Sequence, residues 1–127
     1  MKTIFIFLLL TFVITGCSNK KEVVDETVNY ETEKPSQVEL GKELFEGKGT
    51  CYSCHKPDQK IIAPSTIEIA RIYKEQNGDI VSFLKGNEKP LVDPSQFEVM
   101  KTNFAITKNM TDEELKAIEA YMYSHIQ

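Results

Sequence analysis

The chain has 127 residues and a net charge of −4, from 15 basic and 19 acidic side chains. That length allows one domain once a targeting segment is set aside, and 41% hydrophobic with 27% charged residues is a globular composition rather than a disordered one. No basic excess is available to displace counterions from a phosphate backbone, which excludes nucleic acid as a partner, and three cysteines cannot form an even disulfide framework.

Residues 1–16 run from Met1-Lys2 through an apolar stretch, Ile4 to Ile14, to Thr15-Gly16. A basic start, a short apolar run and a small-residue exit have the form of a secretory signal peptide. The run is too short to cross a bilayer, which takes about 20 residues. Ile14-Thr15-Gly16-Cys17 resembles a bacterial lipobox. The resemblance implies cleavage before Cys17 and acylation of its thiol and new amino terminus, and two or more acyl chains anchor stably where one does not. Residues 17–36 follow as a tether, dense in charge (Lys20, Lys21, Glu22, Asp25, Glu26, Glu31, Glu33, Lys34) and poor in core-forming side chains. The folded domain is expected over residues 37–127, with 11 basic and 14 acidic side chains. A domain this small gains from a staple or a cofactor.

Val38 to Glu46 carries Val38, Leu40, Leu44 and Phe45 at helical spacing. Next comes Cys51-Tyr52-Ser53-Cys54-His55, the Cys-x-x-Cys-His arrangement that attaches c-type haem. Two thiols three positions apart reach the two vinyl groups of one haem edge as thioethers, and His55 beside them supplies an imidazole nitrogen to the iron. A thioredoxin-like pair would follow a strand in a βαβ unit, and here a helical segment precedes it. A zinc site needs four ligands, and outside the motif the domain offers only His125. A plain Cys51–Cys54 disulfide leaves His55 without a role.

Beyond the motif, Ser65-Thr66-Ile67-Glu68 reads as a capping box opening a helix through Ile69, Ile72 and Tyr73, stopped by Asn77-Gly78. Asp79 to Lys85 reads as a short helix with Gly86 after its end. Asp93-Pro94-Ser95-Gln96 reads as an N-cap, N1 proline and N3 glutamine, starting a turn that ends near Met100. Lys101 to Asn109 reads as an irregular polar loop. Thr111-Asp112-Glu113-Glu114 is a second capping box, opening a helix to Ile126 with Leu115, Ile118, Tyr121 and Met122 facing inward. The expected fold is all-α, four or five short helices around one covalently bound haem.

Four side chains compete for the second axial position. Met110 and Leu115 occupy the two positions of a hydrophobic staple around the Thr111 cap, Met122 lies on the inward face of the last helix, and His125 is two residues from the end. Met100, at the end of a turn before a loop, is the preferred ligand, with Met110 as the runner-up. Core filling is the alternative role for any of these methionines.

From about Gln37 to Gln127 the chain resembles a monohaem class I cytochrome c of the short bacterial kind. The matching residues are Gly41 and Phe45, the Cys51–His55 motif, Ile62-Ala63-Pro64-Ser65, Ile69-Ala70, Tyr73, Met100, Leu115 and Tyr121. The resemblance implies that the first and last helices cross with Gly41 allowing close approach beside Phe45 and Tyr121, and that the Pro64 carbonyl accepts from the other imidazole N–H of His55. The chain departs from the family where Lys101 rather than proline follows Met100, where Ala63 stands in place of glycine, and in having no tryptophan.

The function expected on these grounds is that of an electron carrier and not an enzyme: exported, lipid-anchored at the periplasmic or outer face of a bacterial membrane, and serving respiratory-chain redox proteins such as a membrane oxidase or reductase. Lys42, Lys48, Lys56, Lys60, Lys101 and Lys108 fall near the haem-binding segments and are candidates to ring the haem edge for an acidic partner. The alternative is an open-site haem protein that senses a gas or turns over peroxide, for which Arg71 is the only arginine on offer.

Overall fold

A computed structural model describes residues 34–127. The apolar leader, Cys17 and the tether as far as residue 33 lie outside the described residues. Six α-helical segments follow in order: α1 (Gln37–Glu46), α2 (Thr66–Glu75), α3 (Ile80–Leu84), α4 (Phe97–Met100), α5 (Phe104–Thr107) and α6 (Asp112–Ser124). Among the described residues there is no strand, only an isolated bridge between His55 and Lys60.

The core is built on α1 against α6. α1 starts one residue earlier than its apolar stripe suggests, because Ser36 and Glu39 form a capping box: the Glu39 amide donates to Ser36 Oγ at 3.2 Å and the Ser36 amide to the Glu39 carboxylate at 2.9 Å. It buries Gly41, Leu44 and Phe45. α6 opens on the Thr111–Glu114 box and buries Leu115, Ala117, Ile118, Tyr121 and Met122. The helices meet where Gly41 faces Ala117. A Cβ on Gly41 would lie 1.9 Å from the Ala117 carbonyl oxygen, so only glycine admits this approach. Beside it the Phe45 and Tyr121 rings lie 5.3 Å apart, centroid to centroid. Met110, in the staple position before the Thr111 cap, is buried in the same core.

α2 and α3 pack on α6. Ser65 Oγ accepts from the Glu68 amide at 3.1 Å, but among the described residues the Ser65 amide makes no return bond to Glu68. Ser65 is buried while Glu68 stays in water, so this end has a single cap rather than the expected box. Asn77 takes φ +53° and ends α2, with the Gly78 amide donating to Tyr73 O at 2.8 Å. Asp79 caps α3 through the Ser82 amide, 2.7 Å, and Gly86 follows its end at φ +76°.

Two local expectations are corrected. Asp93 is not a side-chain cap: it sits at φ +44°, and its carboxylate accepts instead from Ser95 Oγ (2.6 Å) and Lys60 Nζ (2.8 Å). Lys101 to Asn109 is not an irregular loop: Lys101–Asn103 is a 3₁₀ turn running into α5. Tertiary contacts order it, because Phe104 packs edge-on to Phe83 and the fully buried Thr107 hydroxyl donates to Leu84 O at 2.6 Å. Neither contact is visible in a locally polar sequence.

Candidate functional site

The Cys-x-x-Cys-His motif lies on a tight turn. Thr50 enters it at φ +53°, Cys51–Ser53 is a 3₁₀ turn, and the Cys51 carbonyl accepts from both the Cys54 amide (3.1 Å) and the His55 amide (2.9 Å). This folding back brings Cys51, Cys54 and His55 to one cavity of about 320 Å³, within the range of small-molecule and cofactor pockets. Cys51 and Cys54 are not joined in a disulfide. The walls are mostly apolar: Phe45 from α1, Ile69 and Tyr73 from α2, Phe83 from α3, Phe97 from α4 and Met122 from α6.

His55 Nδ1 is 2.7 Å from the Pro64 carbonyl oxygen. A carbonyl only accepts, so Nδ1 carries the proton and the lone pair resides on Nε2. Burial pushes the imidazole pKa down, and the Pro64 bond acts against this with the smaller effect. The neutral ring, the form that binds a metal, is thereby favoured. Pro64 is itself buried just before the Ser65 cap, which holds its carbonyl in register with the ring.

Burial also pushes the Cys51 thiol up to about 11. A redox pair of the thioredoxin kind relies on the opposite shift, a thiol made acidic. Among the described residues no three His, Cys, Asp or Glu side chains cluster as metal ligands, so a protein-only zinc site has no donor set. Two thiols, one correctly protonated imidazole and an apolar wall fit a covalently attached haem.

The candidate axial ligands separate in space. Met100 and Met122 line the cavity, whereas Met110, the expected runner-up, is buried in the core and is not among the cavity's lining residues. Met100 is half-buried at the end of α4, whereas Met122 is buried on α6. His125 is occupied elsewhere, with Nδ1 at 3.0 Å from Thr66 Oγ1 and its ring edge-on to Tyr121.

The aromatic wall of Phe83, Phe97 and Phe104 escaped the sequence reading. Its rings lie 5.5–6.2 Å apart and line or back the cavity. The only signal was Phe97 and Phe104 in polar surroundings. Four of the six lysines proposed for the haem edge are paired with carboxylates: Lys42 with Glu46, Lys48 with Glu114, Lys60 with Asp93 and Lys101 with Glu98. Lys56 and Lys108 lie over the rings of Tyr52 and Phe104.

No curated protein matches the chain. The family model described as Cytochrome c matches residues 38–125, which take in the motif turn, the cavity and both crossing helices. The chain therefore belongs to the cytochrome c family, as a class I monohaem member holding a covalently bound c-type haem for electron transfer.

Proposed function

We propose that the protein is a dedicated one-electron carrier, in which Cys51 and Cys54 would hold the haem through thioethers and His55 and Met100 would hold its iron. The observation that carries this reading is that an imidazole held at Nδ1 by the Pro64 carbonyl and a methionine thioether line one apolar cavity. The haem iron, when bound, supplies a centre that gains and loses one electron. The Pro64 carbonyl orients His55 and makes it more electron-rich. The Met100 thioether favours the reduced iron. Phe45, Phe83 and Phe97 act in the same direction, because an apolar wall disfavours the extra positive charge of the oxidised state.

A gas sensor or peroxidase-like enzyme needs an open iron position, and peroxide turnover also needs a histidine or arginine beyond it. Among the described residues lining the cavity there is no second histidine and no arginine or lysine, and Arg71 lies exposed on α2. Carbon monoxide added to the reduced holoprotein is the discriminating measurement. Binding should be slow and limited by ligand displacement; rapid, stoichiometric binding would transfer the assignment to the open-site class.

We further propose that Cys17 anchors the chain by lipid to the outer face of a bacterial membrane, and that its partners are redox proteins of that membrane, such as an oxidase or reductase. The Ile14–Cys17 run supports the anchor. The partner's contact face is taken to be largely apolar, since most of the nearby lysines are already paired and Ile61, Ile62 and Val99 are exposed near the motif and the cavity. Cys17→Ser should release the protein from membranes or block its processing, and electron delivery by the wild type should change little with added salt. Retention of a processed Cys17→Ser protein would remove the anchor, and a steep salt dependence would restore the lysines as the docking surface.

A further inference from the structure

One side chain joins the segment carrying Met100 to the loop carrying the cysteines. Asn103 Nδ2 donates to the Gly49 carbonyl at 3.0 Å, and Asn103 Oδ1 accepts from the Thr50 hydroxyl at 3.3 Å. The carbonyl can only accept, so the amide orientation is determined by its partners. Among the described residues these are the only side-chain hydrogen bonds from residues 97–103 to a distant part of the chain. The others stay local: Thr102 Oγ1 to Val99 O at 2.7 Å and Lys101 to Glu98 at 2.6 Å.

The other end of the clasp is strained. Among the described residues three non-glycine residues have positive φ: Thr50, Asn77 and Asp93. Asn and Asp visit that region readily, whereas a β-branched threonine there is an outlier that persists only when its surroundings enforce it. Thr50 immediately precedes Cys51. At three residues per turn, the 3₁₀ geometry of Lys101–Asn103 returns Asn103 to the side of Met100. Thr50, Cys51, Met100 and Asn103 all line the cavity.

We propose that Asn103 is a positioning residue that clasps the strained Gly49–Thr50 turn to the Met100 segment, and thereby governs how firmly the Met100 thioether is held at the iron. This rests on the reading of Met100 as an axial ligand. Loss of the clasp frees the segment to swing from the motif loop while the α1–α6 core stays intact, since Asn103 is not part of that core.

The test uses the oxidised holoprotein and two readouts: the pH at which the weak far-red methionine-to-iron band disappears, and the rate at which added imidazole displaces it. Asn103→Ala should bind imidazole faster by roughly tenfold, the factor one neutral hydrogen bond commonly contributes, and should lose the band about one pH unit lower, the matching shift on a pKa scale. Asn103→Asp keeps an acceptor for Thr50 but loses the donor to Gly49, and should fall between Asn103→Ala and wild type. Thr107→Val breaks the buried bond to Leu84 O away from the clasp, and should lower Tm while leaving both readouts unchanged. If Asn103→Ala lowers Tm as Thr107→Val does, and its imidazole rate and band midpoint match wild type, the proposal is overturned. Should Asn103→Ala fail to accumulate as holoprotein, Asn103→Asp decides on the same two readouts. If Met100→Ala retains the far-red band, the ligand reading fails and this inference falls with it; if only the Asn103 variants are silent, the ligand reading survives alone.

Discussion

Gly41→Ala should cost the holoprotein about 3 kcal/mol, the upper part of the range for overpacking a well-packed contact. In a domain of this size that corresponds to a fall in Tm of roughly 10 °C or more. Two effects oppose each other at this position. Alanine is the better helix former by about 1 kcal/mol, so on propensity alone the change would stabilise α1. The added methyl, however, would lie 1.9 Å from the Ala117 carbonyl oxygen and 2.8 Å from Tyr121 Cβ. The first of these is helix backbone and cannot rotate away. α1 and α6 must separate, and the contact of Tyr121 with Phe45, which lines the cavity, opens with them. Thermal unfolding of the holoprotein, followed in the haem absorption and in the helical circular dichroism, measures this. An unchanged Tm would mean that α1 and α6 do not approach at Gly41.

Met100→Ala should abolish the far-red band of the oxidised protein, lower the reduction potential, and let reduced protein bind carbon monoxide rapidly. On the proposed ligation the change removes a soft neutral ligand that favours the reduced iron. Met122→Ala is the informative companion, because Met122 lines the same cavity yet lies buried on α6. It should keep the band and cost about 2–5 kcal/mol of stability, as buried methionine truncations do. The opposite pattern, with the band lost in Met122→Ala and retained in Met100→Ala, would place the ligand on α6. The two variants thus separate a change at the iron from a change in packing, which stability measurements alone would not do.

The sequence by itself determined the chemistry and most of the scaffold. Cys51-x-x-Cys54-His55 is a local constellation whose spacing is its geometry, so it is readable without a fold. Both ends of α3 and the start of α6 were equally legible, because Asp79, Gly86 and the Thr111–Glu114 box act over one helical turn, whereas α6 ends at Ser124 rather than Ile126. Residues meeting across long sequence separations were decided only in the tertiary structure. Methionine is a commonplace core filler, and spacing alone did not tell which thioethers reach the cavity; the chain path set Met100 and Met122 at its wall and Met110 in the core. The same path turned the polar run after Met100 into a 3₁₀ turn and α5, since burial of Phe104 and Thr107 outweighs weak local propensity. It also paired Lys48 with Glu114 and Lys60 with Asp93, acids that local spacing does not single out. Local hydrogen bonds and covalent spacing are encoded over three or four residues, whereas burial and charge pairing depend on which distant segments the α1–α6 crossing brings together.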